Sequence, residues 1–163
     1  MTCIERLGAF LREHHVSYTT YHHPTAYTAH DVAAYEHVPP HTFAKVVIVF
    51  IDGHMAMLML PADTRADLAR LTEAIGAREI CLADEREFAT VFTDCEPGAM
   101  PPFGNLYGMP VYMDRALTES ETIMFQAGTH QDAISMRCDD FIRLVRPIVT
   151  EFERDAGMLA GRF

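Results

Sequence analysis

The chain has 163 residues, 49% of them hydrophobic and 22% charged, a balance typical of a globular domain with one buried core. Its net charge of −10 argues against a broad electrostatic contact with duplex nucleic acid, so any such contact must be small and local. No apolar run approaches the length that crosses a bilayer, and the N-terminus carries charges where a signal peptide is apolar. We therefore expect a single cytoplasmic domain over residues 1–163.

The first forty residues predict two helices with a strand between them. Apolar residues at helical spacing predict an amphipathic helix from Ile4 to about His14. Residues 16–22 predict a short strand, and Thr28 is placed to cap a second helix that ends before Pro39.

A β-hairpin follows. Residues 46–51 form a continuous β-branched and aromatic run, which is typical of a strand buried on both faces. Asp52 and Gly53 favour a type I′ turn, and the apolar residues at 54–60 predict the returning strand. This hairpin should lie in the core.

The rest of the chain predicts short helices and short strands. A helix introduced by residues 61–64 should end at Gly76, and Asp84 can cap one more helical turn before an extended segment at 89–92. Further short strands are expected at residues 79–82, 111–113, 121–127 and 132–136.

The C-terminal part predicts a last helix, capped by Asp139 or Asp140 and interrupted by Pro147, and then a helical tail at 148–163. Short strands interleaved with short helices indicate an α+β domain. We expect it to be built on a mixed, closed sheet.

Lys45 stands out because it is the only lysine of the chain and it opens the buried strand. A charge at the start of such a strand must be paired or must face a cavity. An ammonium suits a narrow site better than the planar fork of an arginine. The alternative is a lysine that extends to solvent with its stem on apolar surface. The residue type alone leaves both interpretations open.

Residues 93–110 form a long loop with three glycines and four prolines. Stiffened loops of this length are commonly functional, because they hold backbone N–H groups toward a ligand. With Lys45, and with His130 behind a glycine, the loop suits ester chemistry. The lysine would hold a phosphate or carbonyl, the backbone amides would stabilise an oxyanion, and a polar side chain would place water.

The sequence lacks the motifs of other common enzyme classes. The sequence has no GxSxG elbow, no Walker loop and no GxGxxG, so serine-hydrolase, phosphate-loop and nicotinamide chemistry are not expected. Nine histidines invite a metal interpretation, yet two prolines separate His37 from His41 and no ligand set is defined. The four cysteines lack zinc-site spacing and should be reduced. We expect neither a metal nor a cofactor.

Three ordered motifs resemble the YbaK family, the aminoacyl-tRNA deacylases related to the editing domain of bacterial prolyl-tRNA synthetases. The first is the segment 21–29, followed by a helix and by the lysine that opens an apolar strand. The second is the glycine loop at 98–104, and the third is the strand and turn at 125–130. Together the motifs span about residues 18–145.

The resemblance implies an α+β fold with a mixed β-barrel-like sheet and surrounding helices. It also implies hydrolysis of the ester that joins a wrong amino acid to the 3′ acceptor end of a tRNA, without a metal or a protein nucleophile. It implies that Lys45 neutralises a phosphate or orients the ester, and that Gly98 and Gly104 bring backbone close to the substrate carbonyl. His130 would position water or line the amino-acid pocket. The substrate-binding residues that it implies are Thr28, Val46, Pro102, Phe103, Gly128 and Thr129.

The amino acid that is removed does not follow from the resemblance, because the position after the lysine is polar in some family members and is Val46 here. Alanine, serine, threonine and cysteine are the family range. The acidic surface fits a protein that reads only the acceptor end, with an aminoacyl-tRNA synthetase as the candidate partner and no membrane partner. The alternative is a catalytically silent module that holds an aminoacyl or nucleotide group in the same pocket.

Overall fold

The structure is a computed structural model that describes residues 1–155. Thr2 and Glu5 form a capping box at the first helix, and the Thr28 hydroxyl accepts the Asp31 N–H at the second, as its position predicted. None of the helices in this range is long and apolar enough to span a membrane. The α-helices are α1 (Cys3–Glu13), α2 (Ala29–Tyr35), α3 (Leu68–Ile75), α4 (Glu85–Ala89) and α5 (Cys138–Val145).

Ten strands are described: β1 (Tyr18–His22), β2 (Ala44–Ile51), β3 (His54–Pro61), β4 (Thr64–Ala66), β5 (Ile80–Leu82), β6 (Val111–Asp114), β7 (Thr122–Gln126), β8 (Asp132–Arg137), β9 (Ile148–Thr150) and β10 (Glu153–Asp155). They form three sheets, in the orders β5-β2-β3-β6-β9, β1-β8-β7 and β10-β4. The largest sheet is mixed, since β3–β6 and β6–β9 are parallel and its other pairs antiparallel. The predicted α+β class with a mixed sheet is confirmed. No closed barrel is found among these residues, because β5 and β9 remain the edges of the largest sheet.

The predicted hairpin is present, and β2 and β3 pair along their full length. Asp52 and Gly53 have φ angles of 48° and 84°, the positive values that a type I′ turn requires. The Asp52 carboxylate also accepts the backbone N–H groups of Arg78 and Glu79, at 2.9 and 2.8 Å. The turn is therefore fixed both by its own backbone and by the segment that leads into β5.

An isolated parallel bridge between Phe43 and Met124 joins the five-stranded sheet to the three-stranded sheet. Phe43 directly precedes β2, and Met124 lies within β7. Side chains in extended strands alternate with a period of two. Lys45 lies two residues after Phe43, and Gln126 lies two residues after Met124. The side chains of Lys45 and Gln126 therefore point to the same sides of their strands as those of the bridged residues.

The main core lies between the largest sheet, α1 and α5. Phe103, Phe125 and Phe141 are fully buried, with ring centroids 5.5 Å apart for Phe103 and Phe125 and 5.3 Å apart for Phe103 and Phe141. Leu7 and Leu11 of α1 pack into the same cluster, as the amphipathic pattern predicted. Each such side chain contributes about 1.5–3 kcal/mol through burial.

In the middle of the chain, the helix predicted to end at Gly76 is confirmed as α3, with Gly76 as its C-cap. Its predicted start is wrong, since residues 64–66 form β4, because Asp67 caps α3 and the preceding residues pair with β10. Residues 89–92 are not extended. The backbone N–H groups of residues 91 and 92 both donate to the carbonyl of Phe88, which closes turns at the end of α4.

The predicted C-terminal elements also differ. Neither Asp139 nor Asp140 caps α5, since Arg137 occupies the cap position without a side-chain hydrogen bond. Both carboxylates instead lie in the first turn, where they complement the positive end of the helix. The tail forms β9 and β10, not a helix, and its remaining residues 156–163 lie outside the described residues.

Asp114, at the end of β6, is a buried carboxylate that no sequence pattern indicated. It is 1% exposed. Its Oδ1 accepts the Ala116 N–H at 2.9 Å, and its Oδ2 accepts those of Phe152 and Glu153 at 2.9 and 2.8 Å. These bonds compensate for the buried charge and hold the segment between β9 and β10 against β6.

Asp114→Ala should lower the free energy of unfolding by about 3 kcal/mol or more, because three N–H groups lose their acceptor and each buried donor left open costs roughly 1–3 kcal/mol. Urea denaturation measures this. Asp139→Ala is the matched control, since it removes an exposed carboxylate and should stay within about 0.5 kcal/mol of the parent. Equal stability of the two variants would contradict the role given to Asp114.

Candidate active site

A cavity of about 340 Å³ opens where the bridge between the two sheets meets the N-terminus of α2. Its walls come from the start of α2, the first residues of β2, the loop at 93–110 and the end of β7. Among the described residues, no carboxylate lines it. The lining residues that matter most for its chemistry are Tyr27, Thr28, Lys45, Gly98, Met100 and Gln126.

Lys45 lines this cavity and is half-buried. Its Nζ donates a hydrogen bond to the backbone carbonyl of Thr64. Burial lowers the pKa of Lys45 below its ordinary value, while the Asp63 carboxylate opposes this shift and Arg65 adds to it. The only lysine of the chain is thus a partly desolvated cation at a cavity wall.

Gly98 also lines the cavity. Its φ of 88° is in the left-handed region that favours glycine. Its N–H donates to the Met100 Sδ at 3.3 Å. Because a thioether is a weak acceptor, this N–H can be taken over by a stronger acceptor in the cavity.

His130 lies directly behind Gly98 and is 8% exposed. Its Nε2 is 3.6 Å from where a Cβ on residue 98 would lie. Its Nδ1 is 2.9 Å from the Glu96 Oε1, which also accepts the His130 backbone N–H at 2.9 Å. That N–H is the main cause that holds the pKa of Glu96 below its ordinary value. The Tyr27 ring covers the imidazole, with centroids 5.0 Å apart.

The loop at 93–110 and the turn between β7 and β8 are held together by backbone. The Glu96 N–H donates to the Gly128 carbonyl at 2.7 Å, and the Gly128 N–H donates to the Ala99 carbonyl at 2.8 Å. These bonds set Gly98 beside His130. Two segments that the sequence singled out separately therefore meet at one edge of the cavity.

Four of the residues implied by the family resemblance line the cavity: Thr28, Lys45, Val46 and Gly98. Thr28 is there because it caps α2, whose first turn forms one wall. Val46 follows Lys45 on β2. Their roles toward a substrate stay predictions.

Gly104 and its neighbours Pro102 and Phe103 are buried and do not line the cavity. A Cβ at Gly104 would lie 2.7 Å from both the Met109 carbonyl oxygen and the Val111 Cγ2, so close packing requires glycine there. Phe103 belongs to the aromatic core. These contacts account for the residue types without a substrate, and the predicted contribution of the three residues to catalysis or binding stays a prediction.

Gly128 and Thr129 also lie outside the cavity lining. A Cβ at Gly128 would lie 2.5 Å from the Cys3 Cβ, and its φ is 100°, so this glycine lets α1 pack against the turn. The Thr129 hydroxyl donates to the Asp132 carboxylate at 2.6 Å, which stabilises the same turn. Their predicted substrate contacts stay predictions.

Several residues of the site were not predicted from the sequence. Gln126 lines the cavity at the end of an otherwise apolar strand, and a polar residue in such a strand was the signal that could have found it. Glu96 holds His130, but nothing in its sequence context indicates this contact. Tyr27 both lines the cavity and covers His130, although it is 73% exposed overall.

The histidines do not form a metal site in the part of the chain that the structure describes. Within it, one group of three or more His, Cys, Asp or Glu side chains has its ligand atoms mutually within 4.8 Å, namely Cys3, Asp94 and Cys95. Tyr107 donates to Asp94 at 3.0 Å, and Arg6 lies 3.6 Å from the same carboxylate. The cluster joins α1 to the loop that carries Glu96 and Gly98.

Lys45 and Gly98 line one cavity, whereas His130 and Glu96 lie behind Gly98, outside its lining. A cation and backbone N–H groups at one cavity, with a histidine next to its wall, are groups suited to the hydrolysis of an ester. The profile of the aminoacyl-tRNA editing domain family matches residues 23–144. The multifunctional Ser/Thr-tRNA deacylase ProXp-y of Escherichia coli K12 is 30% identical over 118 residues, which cover 69% of this chain and 70% of that protein. The same protein of the O157:H7 strain matches equally.

Solved structures share the fold. A protein assigned as a trans-editing enzyme for prolyl-tRNA synthetase superposes with a TM-score of 0.81 at 17% identity, covering 94% of this chain and 98% of that one. The hypothetical protein APE2540 gives a TM-score of 0.82 at 15% identity, with 91% and 99% coverage.

The chain belongs to the aminoacyl-tRNA editing domain family. The resemblance to the YbaK family and the deacylase class that the motifs predicted are thereby confirmed.

Gly104→Ala should destabilise the fold by roughly 1–3 kcal/mol, the usual cost of overpacking, because both the backbone oxygen of Met109 and the Val111 side chain must shift. Thermal or urea unfolding measures this. Gly8→Ala is the matched control. Its Cβ would meet only the flexible ends of Arg12 and Tyr18, and alanine favours the helix. If Gly104→Ala were as stable as Gly8→Ala, the packing account of Gly104 would be incorrect.

Glu96→Gln should remove part of the acid sensitivity of the protein. Because the folded-state pKa of Glu96 is lowered, its stabilising effect is present above its ordinary value of 4.5 and is lost as the pH falls through the lower folded value. Unfolding free energies measured from pH 6 to pH 3 should therefore fall less steeply in the glutamine variant. Glu85→Gln, an exposed change on α4, serves as the control. Identical slopes for the Glu96→Gln variant and the parent would contradict the Glu96–His130 contact.

Proposed function

We propose that the protein is a trans-editing deacylase that cleaves the ester between a small, wrongly attached amino acid and the 3′ end of a tRNA. The observation that carries this proposal is the placement of Lys45 and Gly98 on one cavity, with His130 behind Gly98. The ProXp-y relative, which acts on Ser/Thr-tRNA by its name, supports the same reaction class.

The cavity fits a small aminoacyl group. Its volume of about 340 Å³ is at the low end of the range for small-molecule sites. Ala44, Val46 and Ala62 supply short apolar walls, which leave room for the side chain of alanine, serine, threonine or cysteine.

Lys45 is the proposed anchor for the acceptor end. Its ammonium would pair with a phosphate of the terminal adenosine or with the ester carbonyl. The attraction is stronger in a partly desolvated cavity than in water, because the effective dielectric constant is lower. Burial lowers the pKa of Lys45, so the arrival of an anion would also stabilise its charged form.

Gly98 is the proposed oxyanion donor. When water adds to the ester carbonyl, negative charge develops on the carbonyl oxygen. The Gly98 N–H would exchange its weak bond to Met100 for a bond to this oxygen. The loop's hydrogen bonds to Gly128 hold this N–H in place, so little reorganisation is needed.

His130 is proposed to place and deprotonate the attacking water. In the neutral ring the Nδ1 hydrogen points to Glu96, and Nε2 keeps its lone pair on the side of Gly98. The water oxygen bonds to the carbonyl carbon, the bond from that carbon to the ribose oxygen breaks, and the ribose oxygen receives the proton. The products are the free amino acid and a tRNA with a free terminal hydroxyl.

The acidic surface of this protein is unfavourable for binding a whole tRNA without a partner. The net charge of −10 disfavours extended contact with the phosphate backbone, so the proposed contact is confined to the acceptor end. An aminoacyl-tRNA synthetase is the proposed partner that supplies the remaining contacts. The structural neighbour assigned to prolyl-tRNA synthetase editing supports this choice.

Lys45→Ala should reduce deacylation by about 10²–10³-fold, the scale seen when one electrostatic stabiliser is removed from an active site. The assay uses tRNAs charged with alanine, serine, threonine, cysteine and proline, with kcat/KM measured for each. Arg143→Ala is the matched control, because it removes one exposed positive charge far from the cavity and should leave the rates unchanged. Thermal unfolding verifies that both variants fold.

Two outcomes would contradict the proposal. Activity retained in Lys45→Ala would show that the cation is not the anchor. No hydrolysis of any ester by the folded parent protein would favour the catalytically silent module, which equilibrium binding of the same charged tRNAs would then detect.

A further inference from the structure

Gln126 ends β7 at the cavity and is 6% exposed. Its Oε1 is buried and has no hydrogen-bond partner among residues 1–155. Buried acceptors are nearly always satisfied, and one that is left open costs stability. An open acceptor on a residue that lines a ligand cavity indicates a ligand that brings the missing donor.

The carboxamide can turn toward such a ligand. The terminal torsion angle of a glutamine side chain has a broad range of allowed values, so rotation about this bond presents Oε1 to the cavity. No existing hydrogen bond of Oε1 has to be broken. The backbone of Gln126 stays fixed, because β7 pairs with β8 opposite Ala133.

The surroundings decide which donor fits. The cavity lining contains no carboxylate, and Lys45 already places one cation there. A substrate ammonium pointed at Gln126 would be a second buried cation paired only with a neutral amide, which is unfavourable. A hydroxyl group carries no charge and needs one acceptor, which a carboxamide oxygen supplies.

Resting on the proposed function, we propose that Gln126 determines specificity by accepting a hydrogen bond from the side-chain hydroxyl of a seryl or threonyl ester. The bridge between Phe43 and Met124 places Gln126 beside Lys45. Both residues line the cavity, so an ester anchored at Lys45 can place its short side chain at the carboxamide. A substrate without the hydroxyl leaves Oε1 unsatisfied, and sites built around a hydroxyl reject such analogues strongly.

The test compares one tRNA acylated with serine or with 2-aminobutyrate, which has a methyl group where serine has the hydroxyl. The parent protein should hydrolyse the seryl ester at least tenfold faster in kcat/KM. Gln126→Met keeps the length of the side chain but has no oxygen. It should reduce the ratio of kcat/KM for the seryl ester to kcat/KM for the 2-aminobutyryl ester to less than threefold, mainly by slowing hydrolysis of the seryl ester. Gln131→Met, the same exchange at an exposed position outside the cavity, should leave the ratio unchanged.

The outcomes separate this inference from the proposed function. Hydrolysis of both esters by the parent at equal rates would overturn the role of Gln126 while leaving the deacylase intact. A ratio that persists in Gln126→Met would also overturn it. Hydrolysis of neither ester would instead contradict the proposed function itself.

A second readout does not depend on turnover. Gln126→Met removes a buried acceptor that has no partner, so the unliganded variant should melt at a higher temperature than the parent. Hydrolysis of the 2-aminobutyryl ester by the Gln126→Met variant shows that its cavity is still formed. If Gln126→Met melts lower and loses both esters alike, Gln126 supports the fold and does not determine specificity.

Discussion

The parallel bridge between Phe43 and Met124 is the contact on which the site depends. Lys45 and Gln126 belong to different sheets, and this bridge sets them side by side. Both bridged residues are buried in one apolar cluster with Val32 of α2. The same cluster therefore fixes the two sheets and the helix whose first turn closes the cavity. A change in this cluster would disturb three walls of the cavity together.

The cation at Lys45 carries a desolvation penalty that the unliganded protein only partly offsets. One backbone carbonyl, that of Thr64, accepts its hydrogen bond, and burial lowers its pKa. Gln126 shows the same property, since its Oε1 is buried without a partner in the described chain. Polar groups around one cavity whose hydrogen bonds are incomplete remain available to form hydrogen bonds with a substrate. They lower stability in its absence, which is a common cost of an active site.

The glycines that match the family motifs have different structural roles. Gly98 lines the cavity, while Gly104 and Gly128 allow close packing elsewhere in the molecule. The backbone bonds between residues 96–99 and Gly128 make these roles interdependent. They tie the glycine loop to the turn that carries His130, and so fix the position of Gly98 relative to His130.

The sequence by itself determined the features that depend on local chemistry. The type I′ turn at Asp52 follows from the positive φ that it requires, and the Thr28 cap follows from a hydroxyl three residues before an N–H. Motif order was enough for the family and the reaction class. Only the tertiary structure decided that Gly98 faces the cavity while Gly104 does not, that Asp114 is buried, and that Gln126 lies beside Lys45. These facts depend on contacts between residues far apart in the chain, which no local pattern of hydrophobicity or backbone preference specifies.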